Sequence, residues 1–152
     1  MSTVQWNKTA LRRVAKRIEA AGIHRFNMKY WFTYNGVDTD IKLIMNEYKH
    51  PECNTTACVA GYTCIDAVER GLSTPRLDNG ATYQRTALSI LLRKGSILNG
   101  AGLLFFKFLW PRSYRDMSDY DGAVALLRDI ANGKIAVIDN EWVTQSRGSN
   151  VR

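Results

Sequence analysis

The chain has 152 residues, the usual size of a single domain, and 45% of them are hydrophobic, which is enough to form a real core. Its 21 Lys and Arg residues against 14 Asp and Glu residues give a formal net charge of +7. This balance favours an anionic partner, such as nucleic acid, a nucleotide or an acidic protein surface. The composition excludes long disordered segments except at the ends of the chain.

The sequence carries no targeting or membrane-spanning pattern. The N-terminus is polar, whereas a secretory signal needs an apolar stretch of about 7–15 residues. The most apolar run, residues 97–110, contains polar residues and is shorter than the roughly 18 apolar residues of a membrane span. The three cysteines, Cys53, Cys58 and Cys64, are odd in number, which favours free thiols in a reducing compartment. We therefore expect a cytoplasmic protein that does not enter a membrane.

The first predicted element is a helix over residues 9–21, with Thr9 as its N-cap and Gly22 as its C-terminal stop. Apolar residues recur at helical spacing along one side of it. The opposite side carries five cations within ten residues, and we call them the basic face: Lys8, Arg12, Arg13, Lys16 and Arg17. This face either binds the anionic groups of a partner or is a solvated helix surface.

An aromatic segment, residues 25–35, precedes the turn signal Asn35-Gly36. The apolar residues that follow fit two structures. One is a short hairpin about that turn, and the other is a helix that starts near Asp38 or Asp40. The periodicity of the sequence does not separate them.

Four further elements are predicted, in chain order: a helix from residue 54 or 55 to 70, a helix over 83–94, one or two buried helices over 97–110, and a helix from 119 or 121 to 131. Residues 134–143 fit a strand that could pair with the segment near Trp31. Residues 145–152 are polar and are expected to form a flexible tail. The pattern predicts a mainly α fold, a single compact domain over residues 1–144 with about five helices and a small β-hairpin or C-terminal strand.

The most unusual stretch is residues 53–62, which read Cys-Asn-Thr-Thr-Ala-Cys-Val-Ala-Gly-Tyr. Gly61 within a helix costs about 1 kcal/mol relative to alanine, so it indicates that something packs closely against the backbone. Either another helix packs there, or a ligand approaches the helix start at residues 55–58, where free N–H groups favour an anion. The ligand-binding residues would then be Trp31, Thr55, Thr56, Cys58, Tyr62 and Trp110.

Two chemical interpretations of the cysteines fit the sequence less well. A thiol near a helix N-terminus has a lowered pKa, but Cys58 would also need a base, and the only histidines are His24 and His50. His50, Cys53, Cys58 and Cys64 are zinc-ligand types, yet their spacing lacks two close pairs. We therefore expect packed or capping thiols, no metal and no cofactor. The lack of strong enzymatic signatures favours a binding protein over an enzyme.

Several short motifs resemble a known group of proteins: Phe26-x-Met28-x-x-Trp31, Cys53-x-Thr55-x-x-Cys58-x-Ala60-Gly61, Leu104-Phe105 and Trp110-Pro111. Over about residues 9–132 the chain resembles a group of small bacterial and phage proteins of uncharacterised function. In that group the central motif usually reads Cys-Gly-Thr-x-x-Cys-x-Ala-Gly followed by Trp or His. This chain departs from it at Asn27, Asn54 and Tyr62, where Asp, Gly, and Trp or His are common. The resemblance implies a compact helical domain encoded by bacteria or their viruses, and it implies no reaction.

The leading hypothesis is a non-catalytic binding protein, encoded by a phage, that inhibits or modulates a host defence or regulatory component through its basic surface. Its partner would be a host protein or nucleic acid in the host cytoplasm. One alternative is a nucleotide or small-anion binding protein or enzyme that uses the helix N-terminus at residues 55–58. The other is a nucleic-acid-binding protein that acts through Arg12, Arg13, Lys16 and Arg17.

Overall fold

The computed structural model describes residues 2–29, 32–34, 37–38, 55–72 and 80–145. The α-helices in these ranges are α1 (Lys8–Ala21), α2 (Val59–Glu69), α3 (Gly80–Leu91), α4 (Arg112–Arg115) and α5 (Asp119–Ala131). The strands are β1 (Phe32–Tyr34), β2 (Val37–Asp38), β3 (Thr55–Ala57), β4 (Ile135–Ile138) and β5 (Glu141–Thr144). Short 3-10 helices cover Ile23–Arg25, Ala101–Phe105 and Lys107–Leu109. The mainly helical fold predicted from the sequence is confirmed.

Helix α1 begins one residue earlier than predicted and has a different cap. Asn7, not Thr9, is the N-cap, and its side-chain oxygen accepts a hydrogen bond from the Ala10 N–H at 3.0 Å. At the other end Gly22 has a φ of +89°, which glycine adopts without strain, and its N–H bonds to the Ile18 carbonyl. The apolar side of the helix is buried and packs against α5 and α2.

Helix α2 is the most deeply buried helix among the described ones, because every residue from Val59 to Ala67 is buried. Its predicted start at residue 54 or 55 is wrong. Thr55–Ala57 instead form the extended strand β3, which pairs with β1, as suits β-branched threonines. The helix then starts at Val59, with Cys58 as its N-cap.

Strands β1 and β2 pair antiparallel, and β3 pairs antiparallel with the other edge of β1. The hairpin alternative for this segment is therefore confirmed. Residues 39–54, on which most of the alternative helix falls, lie outside the described residues, as do Trp31 and Cys53.

Strands β4 and β5 form a second antiparallel hairpin, in which Val137 faces Trp142. The two residues between the strands, Asp139 and Asn140, have φ values of 50° and 65°, as a tight two-residue hairpin turn requires. The predicted pairing of this segment with the region near Trp31 is wrong, because the tight turn folds the segment back on itself. The tail prediction concerns mainly residues 146–152, which lie outside the described residues.

The apolar run at residues 97–110 contains two short 3-10 helices, as the second sequence alternative proposed. The sequence pattern placed the break between them at Gly100 or Gly102, which is wrong, because Phe106 separates them, and the second one has no buried residue. Trp110 ends the run, and its Nε1–H donates to the Leu104 carbonyl at 2.8 Å. Helix α5 is capped by Ser118, whose hydroxyl accepts from the Asp121 N–H, and not by either aspartate. No helix in the described part of the chain is both long and apolar enough to cross a membrane.

The N-terminal residues run in an extended conformation and join distant elements. The Asn7 N–H donates to the Leu91 carbonyl at 2.7 Å, and the Arg93 N–H donates to the Gln5 carbonyl at 2.9 Å. The Val4 N–H bonds to the Val137 carbonyl of β4 at 3.0 Å. These bonds bring the start of α1 beside the end of α3, although the two lie far apart in the sequence.

Candidate functional site

The predicted ligand site at the start of α2 is filled by the protein itself. Cys58, Tyr62 and Trp110 are each at most 3% exposed. The Tyr62 hydroxyl donates to the Arg25 carbonyl at 2.6 Å, and its ring stacks on Phe26. The structure describes Thr55 and Thr56 as backbone of β3, so neither belongs to the first turn of a helix. The three residues whose side chains are described therefore serve as core packing and not as the wall of an open pocket.

The two described thiols have structural partners. The Cys58 sulfur accepts a hydrogen bond from the Gly61 N–H at 3.4 Å, and the Cys64 thiol donates to the Tyr83 carbonyl at 3.4 Å. Burial raises the pKa of Cys58 to about 11, although nearby N–H groups act in the opposite direction. Burial, with a smaller contribution from Cys58, raises the pKa of Cys64 to about 12. Both thiols are free, and neither has the lowered pKa of a nucleophile.

A carboxylate inside the protein binds two cations of the predicted basic face. Asp66 of α2 is fully buried, and its oxygens accept from Arg13 Nε at 2.8 Å and Arg17 Nε at 2.7 Å. Arg17 also pairs with Glu69, and Arg70 lies 3.8 Å from Asp66. Because a buried carboxylate must be neutralised, these arginines stabilise the contact between α1 and α2. They are not free to bind an external anion.

A third cation of that face is also engaged within the fold. Arg12 Nη2 donates to the backbone carbonyl of Ala131 at 3.0 Å, at the C-terminal end of α5, where the helix dipole favours a cation. Among the described residues, Lys8 and Lys16 are the members of the basic face without a side-chain partner. The structure thus divides the predicted basic face between structural contacts and two free lysines.

Lys8 lies at the edge of an open hollow that the sequence does not reveal. This hollow has a volume of about 530 Å³ and is lined by Trp6, Asn7, Lys8, Thr9, Arg93 and Lys94. Its two walls come from the extended N-terminal segment and from the turn after α3, which the Asn7 and Arg93 backbone hydrogen bonds hold together. The positive end of the α1 dipole adds to the potential of the three cations.

A second hollow, of about 430 Å³, adjoins the first at Arg93 and Lys94. It is lined by Arg85, Leu88, Ser89, Leu92, Arg93, Lys94, Gly95, Ser96 and Leu98. Three leucines and three cations share this lining. We call the two hollows together the cationic groove, and its cations are Lys8, Arg85, Arg93 and Lys94.

Within the described ranges of the chain, none of the four cations of the groove forms a salt bridge or a side-chain hydrogen bond. All four side chains are exposed to solvent. Unpaired cations that converge from two segments create a positive potential that attracts anions more strongly than a single charge does.

Sequence reasoning missed three of these four cations. Arg93 and Lys94 stand at the end of a predicted helix beside Gly95, where cations are common for reasons of helix stability. The available signal was the apolar Ile97-Leu98 pair, which we expected to be buried but which is 36% and 65% exposed. An exposed leucine beside cations offers a partner both apolar and charged contacts.

The lining of the groove contains hydroxyl, amide, indole and cationic side chains but no carboxylate, histidine or thiol. Such a set can bind and orient an anion, and its hydroxyl groups have no carboxylate, histidine or thiol beside them in the lining to activate them. Elsewhere in the described ranges, no three His, Cys, Asp or Glu side chains lie close enough to hold a metal ion. Compared with models of protein families, with curated proteins and with solved structures, the chain matches none.

Proposed function

We propose that this protein is a non-catalytic binding protein whose partner presents negative charge to the cationic groove. One observation carries the proposal: four unpaired cations from two chain segments surround open hollows of about 430 Å³ and 530 Å³. Volumes of this size suit the side chains or small groups of a bound partner. The groove lining has no carboxylate, histidine or thiol that could activate its hydroxyl groups, which supports binding without catalysis.

The biological setting of the proposal comes from the sequence. The net charge of +7 and the resemblance to small bacterial and phage proteins support a phage-encoded protein that acts in the host cytoplasm. Binding of a host protein or nucleic acid would then inhibit or modulate a defence or regulatory component. This part of the proposal is independent of the groove and is tested separately.

The experiment compares two charge-reversal variants with the same change in net charge. Arg93→Glu/Lys94→Glu reverses the groove, and Lys16→Glu/Lys134→Glu reverses two exposed lysines outside it. Binding to a duplex oligonucleotide and to a polyglutamate peptide is measured by fluorescence anisotropy at several salt concentrations. We expect the groove variant to weaken binding of at least one probe by about tenfold or more, and the control by less than about twofold.

Equal losses in both variants would show that net charge alone, and not the groove, governs binding, and would overturn the proposal. Thermal melting of both variants checks that they fold, and Arg93→Gln/Lys94→Gln serves as a milder second variant. For the biological setting, the wild-type protein is used to capture partners from bacterial lysate with and without nuclease. If neither arm retains a partner, the host-modulation proposal fails even where the anion probes bind.

The two alternative functions have less support. The proposed nucleotide site at residues 55–58 would need access to Cys58 and Tyr62, which are buried. Nucleic-acid binding along α1 would need Arg13 and Arg17, which are paired with Asp66. Lys16 remains exposed on that helix, but it does not line either hollow.

A further inference from the structure

We infer that the occupant of the cationic groove is an acidic amphipathic segment of a protein, which places apolar side chains against the leucines of the groove and carboxylates beside its cations. The inference rests on the proposed function and specifies the class of its partner. Its evidence is that leucines and cations line the same groove. It does not depend on the net charge of the protein.

Three leucines contribute to the lining of the second hollow. They are Leu88, Leu92 and Leu98, and Leu98 remains 65% exposed. Leaving such a leucine in water is unfavourable, and a partner that covers it gains the free energy of burial. Grooves with an apolar floor commonly bind the apolar face of an amphipathic helix.

The cations of the same hollow supply the complementary charge. Arg85, Arg93 and Lys94 line it together with the leucines, and within the described ranges none of the three forms a salt bridge. An arginine guanidinium can bind a carboxylate through two parallel hydrogen bonds, which fixes the orientation of the bound segment. Lys8 is a fourth cation, in the adjoining hollow, so a bound segment that continues past Lys94 meets further positive charge.

A nucleic acid would use this groove less completely. Single-stranded nucleic acids stack their bases on exposed aromatic rings, whereas Trp6, the aromatic residue of the groove lining, is only 7% exposed. A duplex would bind the cations through its phosphates and leave the leucines without a partner. The combination of leucines and cations in one lining therefore favours a protein partner.

The test uses a display library of random peptides of about twelve residues, selected on the immobilised wild-type protein. We expect the selected peptides to carry net negative charge together with at least two large apolar residues. The best peptide is then measured against Leu98→Ser, which removes the exposed apolar side chain without a change in charge. Phe108→Ser is the matched control, because Phe108 is 70% exposed and lies outside the groove lining.

We expect Leu98→Ser to weaken peptide binding by about fivefold or more while Phe108→Ser has little effect. Binding of a duplex oligonucleotide should be unchanged in Leu98→Ser. The inference is overturned if selection yields no peptide, if the selected peptides lack acidic or apolar residues, or if Leu98→Ser binds them as well as wild type does. In each of these cases a loss of duplex binding in Arg93→Glu/Lys94→Glu would leave the proposed function standing.

Discussion

Two pairs of cations, Arg13 with Arg17 on α1 and Arg93 with Lys94 after α3, contribute the same charge to the protein and have opposite surroundings. The first pair converges on the fully buried carboxylate of Asp66. The second pair lies at the junction of two open hollows and has no acidic neighbour in the described part of the chain. Charge density in a sequence therefore does not identify a binding surface until the location of the opposing charge is known.

The difference arises from the elements that carry each pair. Helix α2 is buried on every side from Val59 to Ala67, so Asp66 has no access to water and must be neutralised by side chains from α1. Arg93 and Lys94 follow the last turn of α3, where the chain leaves the core and its side chains extend into solvent. The first pair is thus required by the fold, and the second pair is available to a partner.

The largest effect we expect separates the two pairs by stability. Arg13→Ala/Arg17→Ala leaves Asp66 buried, with Arg70 as its remaining cation at 3.8 Å, and should lower the free energy of unfolding by about 3 kcal/mol. Arg93→Ala/Lys94→Ala should lower it by less than about 0.5 kcal/mol, because both side chains are exposed and unpaired. Urea denaturation at neutral pH measures both values. Similar values for the two variants would contradict the comparison.

A smaller loss of stability is expected when Asp66 is substituted and the two arginines are kept. Asp66→Asn leaves Arg13 and Arg17 without their anion, but both arginines are about a quarter exposed and can turn toward water. The loss should be about 1–2 kcal/mol, below that of the double arginine variant. Urea denaturation at neutral pH measures the free energy of unfolding of both variants and so shows which loss is larger. The reverse order would mean that the arginines, and not the carboxylate, are the groups that the fold isolates from water.

The fold was predictable where local signals act alone. Gly22 ends α1 as its sequence predicts, and the β1–β2 hairpin forms about the Asn35-Gly36 signal. The start of α2 was not predictable from the threonines that precede it, because the pairing of β3 with β1 draws Thr55 into a strand. That pairing joins residues far apart in the sequence, so no window around residue 55 contains the information.

The candidate site depends even more on distant contacts. Lys8 belonged to the predicted basic face, but the hydrogen bond from the Asn7 N–H to Leu91 brings it beside Arg93. Arg13 was indistinguishable from Lys8 in the sequence, since its partner Asp66 lies 53 residues away. The sequence therefore predicted a cationic surface, and only the tertiary contacts identify which residues form it.

A fifth cation, Lys107, sharpens the comparison because it has an acidic partner, Asp119, but both side chains are only partly buried. Lys107 Nζ lies 2.6 Å from Asp119, whose carboxylate also accepts from the Met28 N–H at 3.0 Å. Partial burial alone would raise the pKa of Asp119, but Lys107 and the Met28 N–H together lower it. The ionised carboxylate is therefore favoured in the folded state. Its contribution to stability is complete above the unfolded pKa of about 3.9 and is lost as the pH falls through the lower folded value.

Asp119→Asn should consequently reduce the free energy of unfolding by up to about 1 kcal/mol at neutral pH, since both partners are only partly buried. The gap between wild type and variant should close as the pH falls below about 4. Urea denaturation over a series of pH values measures this difference in the free energy of unfolding. A gap that stays constant down to the acid limit would show that packing, and not the charge of Asp119, is responsible.

The smallest effect concerns the start of α2. This region is buried, so a ligand could bind there only if the structure opened. In a Cys53→Ser background, Cys58 and Cys64 remain, and their pKa values of about 11 and about 12 leave almost no thiolate at pH 8. We expect neither thiol to react with an aromatic disulfide reagent until urea unfolds the protein. Cys58→Ala should cost no more than about 1 kcal/mol, since it removes a weak sulfur cap. Rapid reaction of Cys58 in the folded protein would instead mean that the helix start is accessible, and that a site there competes with the cationic groove.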